Sequence, residues 1–148
     1  MQQLNFPKFE FRFKSTENRI QIFDIIRKKF VVLHPEEWVR QHVIHYLISV
    51  KKYPKQHINV EKQLLINGLQ KRYDVIVLTT SGKIRILVEC KAPGIRLDQD
   101  TFDQIARYNL KAAADYMMVT NGIHHIFCQI DHNNEKYTFL PEIPDFSR

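Results

Sequence analysis

The chain lacks the marks of a secreted, membrane-spanning or zinc-stapled protein. Two cysteines occur in 148 residues. Cys90 and Cys128 fall inside predicted strands and read as small buried hydrophobes in a reducing cytoplasm, with a single bridge as the alternative. No apolar run approaches the ~20 residues of a membrane span. Residues 1–7 lack the apolar core of a secretory signal, so a cytoplasmic, membrane-free protein is expected. No HExxH or Cys/His zinc spacing is present. His124 and His125 are neighbours on a predicted strand and point to opposite faces, so they do not readily share a metal. With no internal repeat and no linker, residues 1–148 read as one domain.

What is present suits a globular core. Hydrophobic residues make up 44% of the chain and charged residues 26%, ordinary values for a folded domain. The formal charge is +6, which leans toward a polyanionic partner without saying anything about fold. The basic clusters Arg27-Lys28-Lys29 and Lys51-Lys52 read as solvated faces. Lys71-Arg72 differs, because it abuts a pair of carboxylates and could meet phosphates there.

Those carboxylates belong to the central stretch of the chain. Residues 73–80 and 83–91 are rich in Val, Ile and Leu, with Ser81-Gly82 between them, which predicts a β-hairpin. A two-residue loop sets Asp74 directly opposite Glu89. Alternation then puts Lys91 on the face of Glu89. Like charges opposed on a sheet destabilise it. A hard cation between the carboxylates would remove the conflict; Lys91 neutralising them at a wet edge is the structural alternative.

Around this hairpin the chain reads in order. Residues 1–8 are expected to be a poorly ordered lead-in. Residues 9–14 alternate as a strand, with Phe9, Phe11 and Phe13 either burying a sheet face or stacking bases. Residues 15–18 form a turn, residues 19–26 return as a second strand, and residues 30–33 are an apolar connector. Between 22 and 33 the pattern does not separate strand from helix. A helix is predicted from His34-Pro35 to about Val50, with Pro and acidic residues at its start and Lys51-Lys52 and Tyr53-Pro54 at its end. Its apolar stripe is Val39, Val43, Leu47 and Val50; Glu36 lies at the head of the stripe, and Glu37 lies nearer Arg40 and Gln41. Trp38 reads as core or interface. Residues 58–66 form a strand ending at Asn67-Gly68, with Glu61 on its exposed face. After the hairpin, a helix spans about 99–114 with Phe102, Ile105, Ala106, Asn109 and Ala113 inward. Residues 116–120 and 123–130 form strands joined by a two-residue Asn121-Gly122 turn. Residues 137–139 are strand-like and precede a proline-rich tail. The result is an α/β fold: a central mixed sheet flanked by helices.

Asp74, Glu89-Cys90-Lys91 and the pair Gln104 and Tyr108, four apart on one helix flank, follow the first helix and its Glu36 in order. This order resembles the PD-(D/E)xK nuclease superfamily, in its RecB-like branch with a Gln-x-x-x-Tyr helix. Residues 22–24, 27–31, 35–42, 72–74, 89–93 and 102–109, with Thr120-Asn121-Gly122, are more specifically similar to the N-terminal nuclease domain of type I restriction enzyme R subunits, in a small stand-alone form. The resemblance implies a restriction-endonuclease-like αβββαβ core over about 34–130, preceded by an N-terminal β-hairpin extension. It implies a Mg²⁺- or Mn²⁺-dependent DNA endonuclease. Asp74, Glu89 and the Cys90 carbonyl would be metal ligands, and Lys91 would stabilise charge on the scissile phosphate or orient the attacking water. Glu36 would be the additional helix acid, with Glu37 competing. Gln104 and Tyr108 would position nucleic acid or the lysine, and Lys71 and Arg72 would meet the DNA backbone. Tyr73 stands where the superfamily's name has proline. The sequence contains no G-x-x-x-x-G-K-[ST] phosphate loop, so a separate ATP-dependent motor or restriction subunit is an expected partner. A symmetric dimer would ease double-strand cutting. The alternative is a non-cleaving DNA-binding or accessory module.

Overall fold

Hydrophobic patterning distributes the chain over two faces of one sheet in the computed structural model, which describes residues 1–66 and 68–148. Strands β4 (Ile58–Ile66), β5 (Leu69–Leu78), β6 (Ile84–Cys90), β7 (Tyr116–Thr120), β8 (His125–Asp131) and β9 (Lys136–Leu140) form a six-stranded sheet in sequence order. All neighbours are antiparallel except β6 and β7. Parallel neighbours need a crossover, and helix α2 (Gln99–Asn109) lies within it. Helix α1 (Pro35–His45) covers the other face. Val39, Val43 and Leu47 of the α1 segment pack with Val75, Val77, Ile86 and Val88. Phe102 and Ala106 of α2 pack with Ile76, Leu87 and Met117. This is the mixed α/β sheet between helices that was expected.

Local chemistry sets the helix limits. The His34 ring accepts from the Glu37 amide at the N-cap, and Pro35 opens α1. The helix continues as a π turn, Tyr46–Val50. The wider turn rotates Val50 out of the expected stripe, and it is 39% exposed. Regular α2 ends at Asn109, and a 3₁₀ turn, Leu110–Ala112, follows. Ala113 then takes a left-handed φ of 56° and is exposed, so Ala112 and Ala114, not Ala113, are buried.

The N-terminal region departs most from expectation. Instead of a hairpin it forms a three-stranded sheet, β1 (Phe13–Thr16), β2 (Arg19–Asp24) and β3 (Lys29–Val32), so residues 30–33 supply a strand and not a connector. The tight turn is only Glu17-Asn18, with φ of 44° and 68°, as a primed hairpin turn requires. Residues 9–12 are outside β1. Phe11 lies against Trp38, His42 and His45, and Phe13 is exposed. Nor is the lead-in loose. Leu4 is buried, the Asn5 amide donates to the Gly122 carbonyl (2.7 Å), and the Trp38 indole donates to the Gln2 carbonyl (2.6 Å). Gly122 explains the fit: a Cβ there would lie 2.9 Å from the Leu4 side chain.

Two loops and the tail also differ. The Thr79 amide donates to the Lys83 carbonyl, so the β5–β6 loop holds three residues, 80–82. A bulge after Leu78↔Ile84 restores Val77↔Ile86. The two irregularities offset each other, and the register reaching Asp74 and Glu89 is the one expected. The β7–β8 turn holds residues 121–124, because Thr120 pairs with His125. The Asn121 carboxamide accepts from the Ile123 and His124 amides, which closes this longer turn. Asn67, read with Gly68 as a strand end, lies outside the described residues. The sheet runs past residue 130 into β9, and Ile143 is fully buried. Lys51 is no solvated cation: it is 2% exposed and its ammonium reaches Glu142 and Asp145 at 3.2 and 3.3 Å. Among the described residues, no helix is long and apolar enough to cross a membrane.

Candidate active site

The β4–β5 ribbon changes faces at one place. Ile58 and Val60 pack on the α1 side, whereas Leu64 and Ile66, of the same parity, pack on the α2 side. On β5, Val75 and Val77 face α1 and Tyr73 faces α2. A regular strand keeps one parity on one face, so the ribbon rolls over between these residues. Glu61 sits at the change with φ of 53°, flanked by the pairs Val60↔Val75 and Lys62↔Tyr73. Asp74 lies opposite it. A left-handed glutamate inside a strand costs about 1–2 kcal/mol, and strain of this kind gathers at functional sites.

The Asp74 carboxylate emerges from the roll with both oxygens engaged. One accepts from the Cys90 amide at 2.8 Å and the other from the Arg40 guanidinium at 2.9 Å. Glu89, one step beyond the pair Val75↔Val88, has far less. Its nearest cation is the Lys91 ammonium at 3.7 Å. Burial pushes the Glu89 carboxyl above its ordinary value, and the Asp74 charge adds to the effect; Lys71 and Lys91 only partly oppose it. The Lys91 amide is held by the Thr120 carbonyl at 2.8 Å, which anchors the strand end. The Cys90 thiol is fully buried and pushed far up by burial, so only its backbone is available for chemistry.

Helix α1 supplies both glutamates, in opposite circumstances. Glu37 is the buried one. It accepts from Arg27 (2.9 Å), Arg40 (2.8 Å) and Gln41 (3.2 Å). Glu36, expected to point further inward, has a 42% exposed side chain, 3.9 Å from Arg40. Its charge nevertheless adds to the upward shift at Glu89. Glu36 therefore borders the open carboxylates, and Glu37 is consumed in a closed network.

That network had no counterpart in the sequence reading. Arg40 gathers Glu36, Glu37, Glu61 and Asp74. Arg27 bonds Asp24, Glu37 and Glu61, and is 16% exposed instead of solvated. Glu61 is not on a free face: both arginines hold it, at 3.3 and 3.5 Å. The sole local signal was Arg40 three and four residues after Glu37 and Glu36, the spacing of helical ion pairs.

On the α2 side, Lys71, Gln104 and Tyr108 line one groove. The Lys71 ammonium lies 3.6 Å from the Tyr108 ring centre and donates to the Asn109 side chain at 3.1 Å. Burial pushes Lys71 down, against the pull of Glu89 and Asp74, so it lies within electrostatic reach of both. Arg72 is exposed, faces the other way on β5, and does not join it. His125 is bonded to the Thr120 hydroxyl and the Asn5 carbonyl, a structural role. Among the described residues no three His, Cys, Asp or Glu side chains gather as a metal cluster.

The architecture is thus a mixed α/β domain that gathers Asp74, Glu89 and Glu36 at one place, with Arg40 on Asp74 and Lys91 and Lys71 within reach of Glu89. Residues 35–144 match the family described as type I restriction enzyme R protein N terminus, and the chain belongs to that family of restriction-enzyme domains. A search of curated protein sequences finds no match to the chain.

Proposed function

We propose that the chain is a metal-dependent DNA endonuclease with a restriction-endonuclease-like core and PD-(D/E)xK chemistry. The observation that carries this reading is Glu89: a half-buried carboxylate opposite Asp74, its side chain 19% exposed, held above its ordinary value with a loose lysine beside it. Such an imbalance is uncomfortable for the fold and fits a site awaiting a cation. Asp74, Glu89 and the Cys90 carbonyl would hold Mg²⁺ or Mn²⁺, which prefer one or two carboxylates plus water and phosphate oxygens. When bound, the ion would lower the pKa of its water and act as a Lewis acid. Lys91, 35% exposed on its side chain, would place positive charge where the scissile phosphate gains negative charge, or orient the attacking water. Glu36 would be the helix acid. The Cys90 amide and Arg40 fix the angle at which Asp74 presents its oxygens. Gln104, Tyr108 and Lys71 would position the nucleic acid, and Arg72 would meet its backbone from the other face.

One observation favours a second reading. Arg40 already neutralises Asp74, which would weaken cation binding and suit a non-cleaving DNA-binding or accessory module. In either case DNA is the partner, a separate ATP-driven motor or restriction subunit would supply translocation, a homodimer would supply the second cut, and the cytoplasm is the working compartment. The test is cleavage of supercoiled, linear, single-stranded and branched DNA with Mg²⁺ or Mn²⁺, wild type beside Lys91→Ala. Cleavage that disappears in the variant supports the nuclease. A folded wild type that cuts none of the substrates supports the accessory role.

A further inference from the structure

The groove beside the carboxylates has a composition that a duplex backbone alone does not explain. Its volume is about 450 Å³, within the range of about 300–1,000 Å³ that encloses a small ligand. Lys71, Arg107 and Lys111 bring three cations to its wall, and none of the described residues that line it is acidic. Between them stand apolar surfaces. Leu69 is 68% exposed and Tyr108 54% exposed, and both border the groove. Large exposed apolar side chains gathered in a concave, cationic site suit a ligand that is anionic at one end and flat and apolar at the other. Tyr73 adds a directional group. The residue is 1% exposed, lines the groove, and its hydroxyl is buried with no hydrogen-bond partner among the described residues. A phenol hydroxyl can donate as well as accept. The Gln104 carboxamide, exposed on the same wall, can both donate and accept.

We propose that this groove takes one unpaired nucleotide of the DNA strand that runs to Asp74 and Glu89. The proposal rests on the nuclease reading and adds to it a substrate class: a strand that is single, frayed or flapped next to the scissile phosphate. The phosphate lies among Lys71, Arg107 and Lys111. The base lies against Leu69, Ile66 and Tyr108, and its polar edge meets Gln104 and the Tyr73 hydroxyl. A base stacked and paired in duplex cannot enter a side groove of this kind without being extruded, whereas an unpaired base stacks on aromatic and apolar side chains freely.

The test is binding of a 2-aminopurine DNA oligonucleotide in EDTA, single-stranded beside the same strand in duplex. Wild type is compared with the double variant Arg107→Ala/Lys111→Ala and with Tyr108→Ala; all three side chains are exposed, so folding should survive. Tighter single-strand binding, a change in 2-aminopurine fluorescence, and at least about fivefold weaker binding by the variants are expected, about the lower limit for one lost base stack. Equal affinity for both forms with unchanged fluorescence overturns the pocket, and leaves the nuclease standing if the Lys91-dependent cleavage persists. Absence of DNA binding together with absence of cleavage overturns both readings.

Discussion

Asp24 is a fully buried carboxylate and Glu89 a half-buried one, and they behave oppositely. Burial raises each. At Asp24 this is outweighed, because the Ile26 and Arg27 amides, the Arg27 guanidinium and the Gln41 amide all donate at 2.7–2.9 Å, and the carboxyl falls below its ordinary value. At Glu89 a single ammonium at 3.7 Å does not outweigh it. The first side chain belongs to a closed structural network in which Arg27 and Arg40 answer the acids. The second belongs to an open site, where Glu89 has no close donor among the described residues and its nearest ammonium stands off at 3.7 Å.

The sharpest way to break this contrast is Glu89→Gln. Cleavage of DNA should fall by about 10²–10³-fold or more, the scale of removing one electrostatic stabiliser, while thermal stability holds or rises because a half-buried, loosely paired charge has gone. A clear loss of stability would place Glu89 with the structural network. Arg40→Ala should act first on stability. Removing one member of a buried ion network costs about 3–5 kcal/mol, measurable by urea denaturation; a loss below about 1 kcal/mol would show that Arg40 serves the site and not the fold.

Proton linkage separates the two carboxylates next. Folded Glu89 keeps its proton above the ordinary 4.5. Between that value and its raised folded one, the native state binds more protons than the unfolded, so its contribution to stability declines as pH rises. Asp24 works the other way: its stabilisation is complete above the ordinary 3.8 and is lost as pH falls through the lowered folded value. Stability measured against pH should lose the first component in Glu89→Gln alone. The smallest effect is expected at Glu61→Gly. Relief of the left-handed backbone, about 1–2 kcal/mol, opposes the flexibility of glycine and the lost, half-exposed pairs to Arg27 and Arg40. The net change in unfolding free energy should stay within about 1 kcal/mol, and a loss of 3 kcal/mol or more would join Glu61 to the structural network.

How legible each part was follows from the range of the interaction. Asp74, Glu89 and Lys91 came together as expected because a hairpin is local and its hydrophobic alternation resists a one-residue slip. Even the wrong loop length at Ser81-Gly82 was absorbed by the bulge near Leu78. Gln104 and Tyr108 share a groove because helical spacing places them on one flank. Glu36 and Glu37 were harder. Helical periodicity alone favoured Glu36 as the inward acid, and it was Arg27, from the β2–β3 turn, that drew Glu37 inside.

The sequence by itself determined the sheet's alternation, the capped start of α1 at His34-Pro35, the crossover helix, and the opposed carboxylates of the hairpin. All depend on neighbours within a few residues or across one turn. Tertiary structure alone decided that Leu4 would be a core residue against Gly122, that Arg40 would reach Asp74 across 34 positions, and that Glu61 would leave its ladder to join the arginines. Long-range charge pairing carries no periodicity, and only folding, by removing water from these groups together, makes one partner preferable to another.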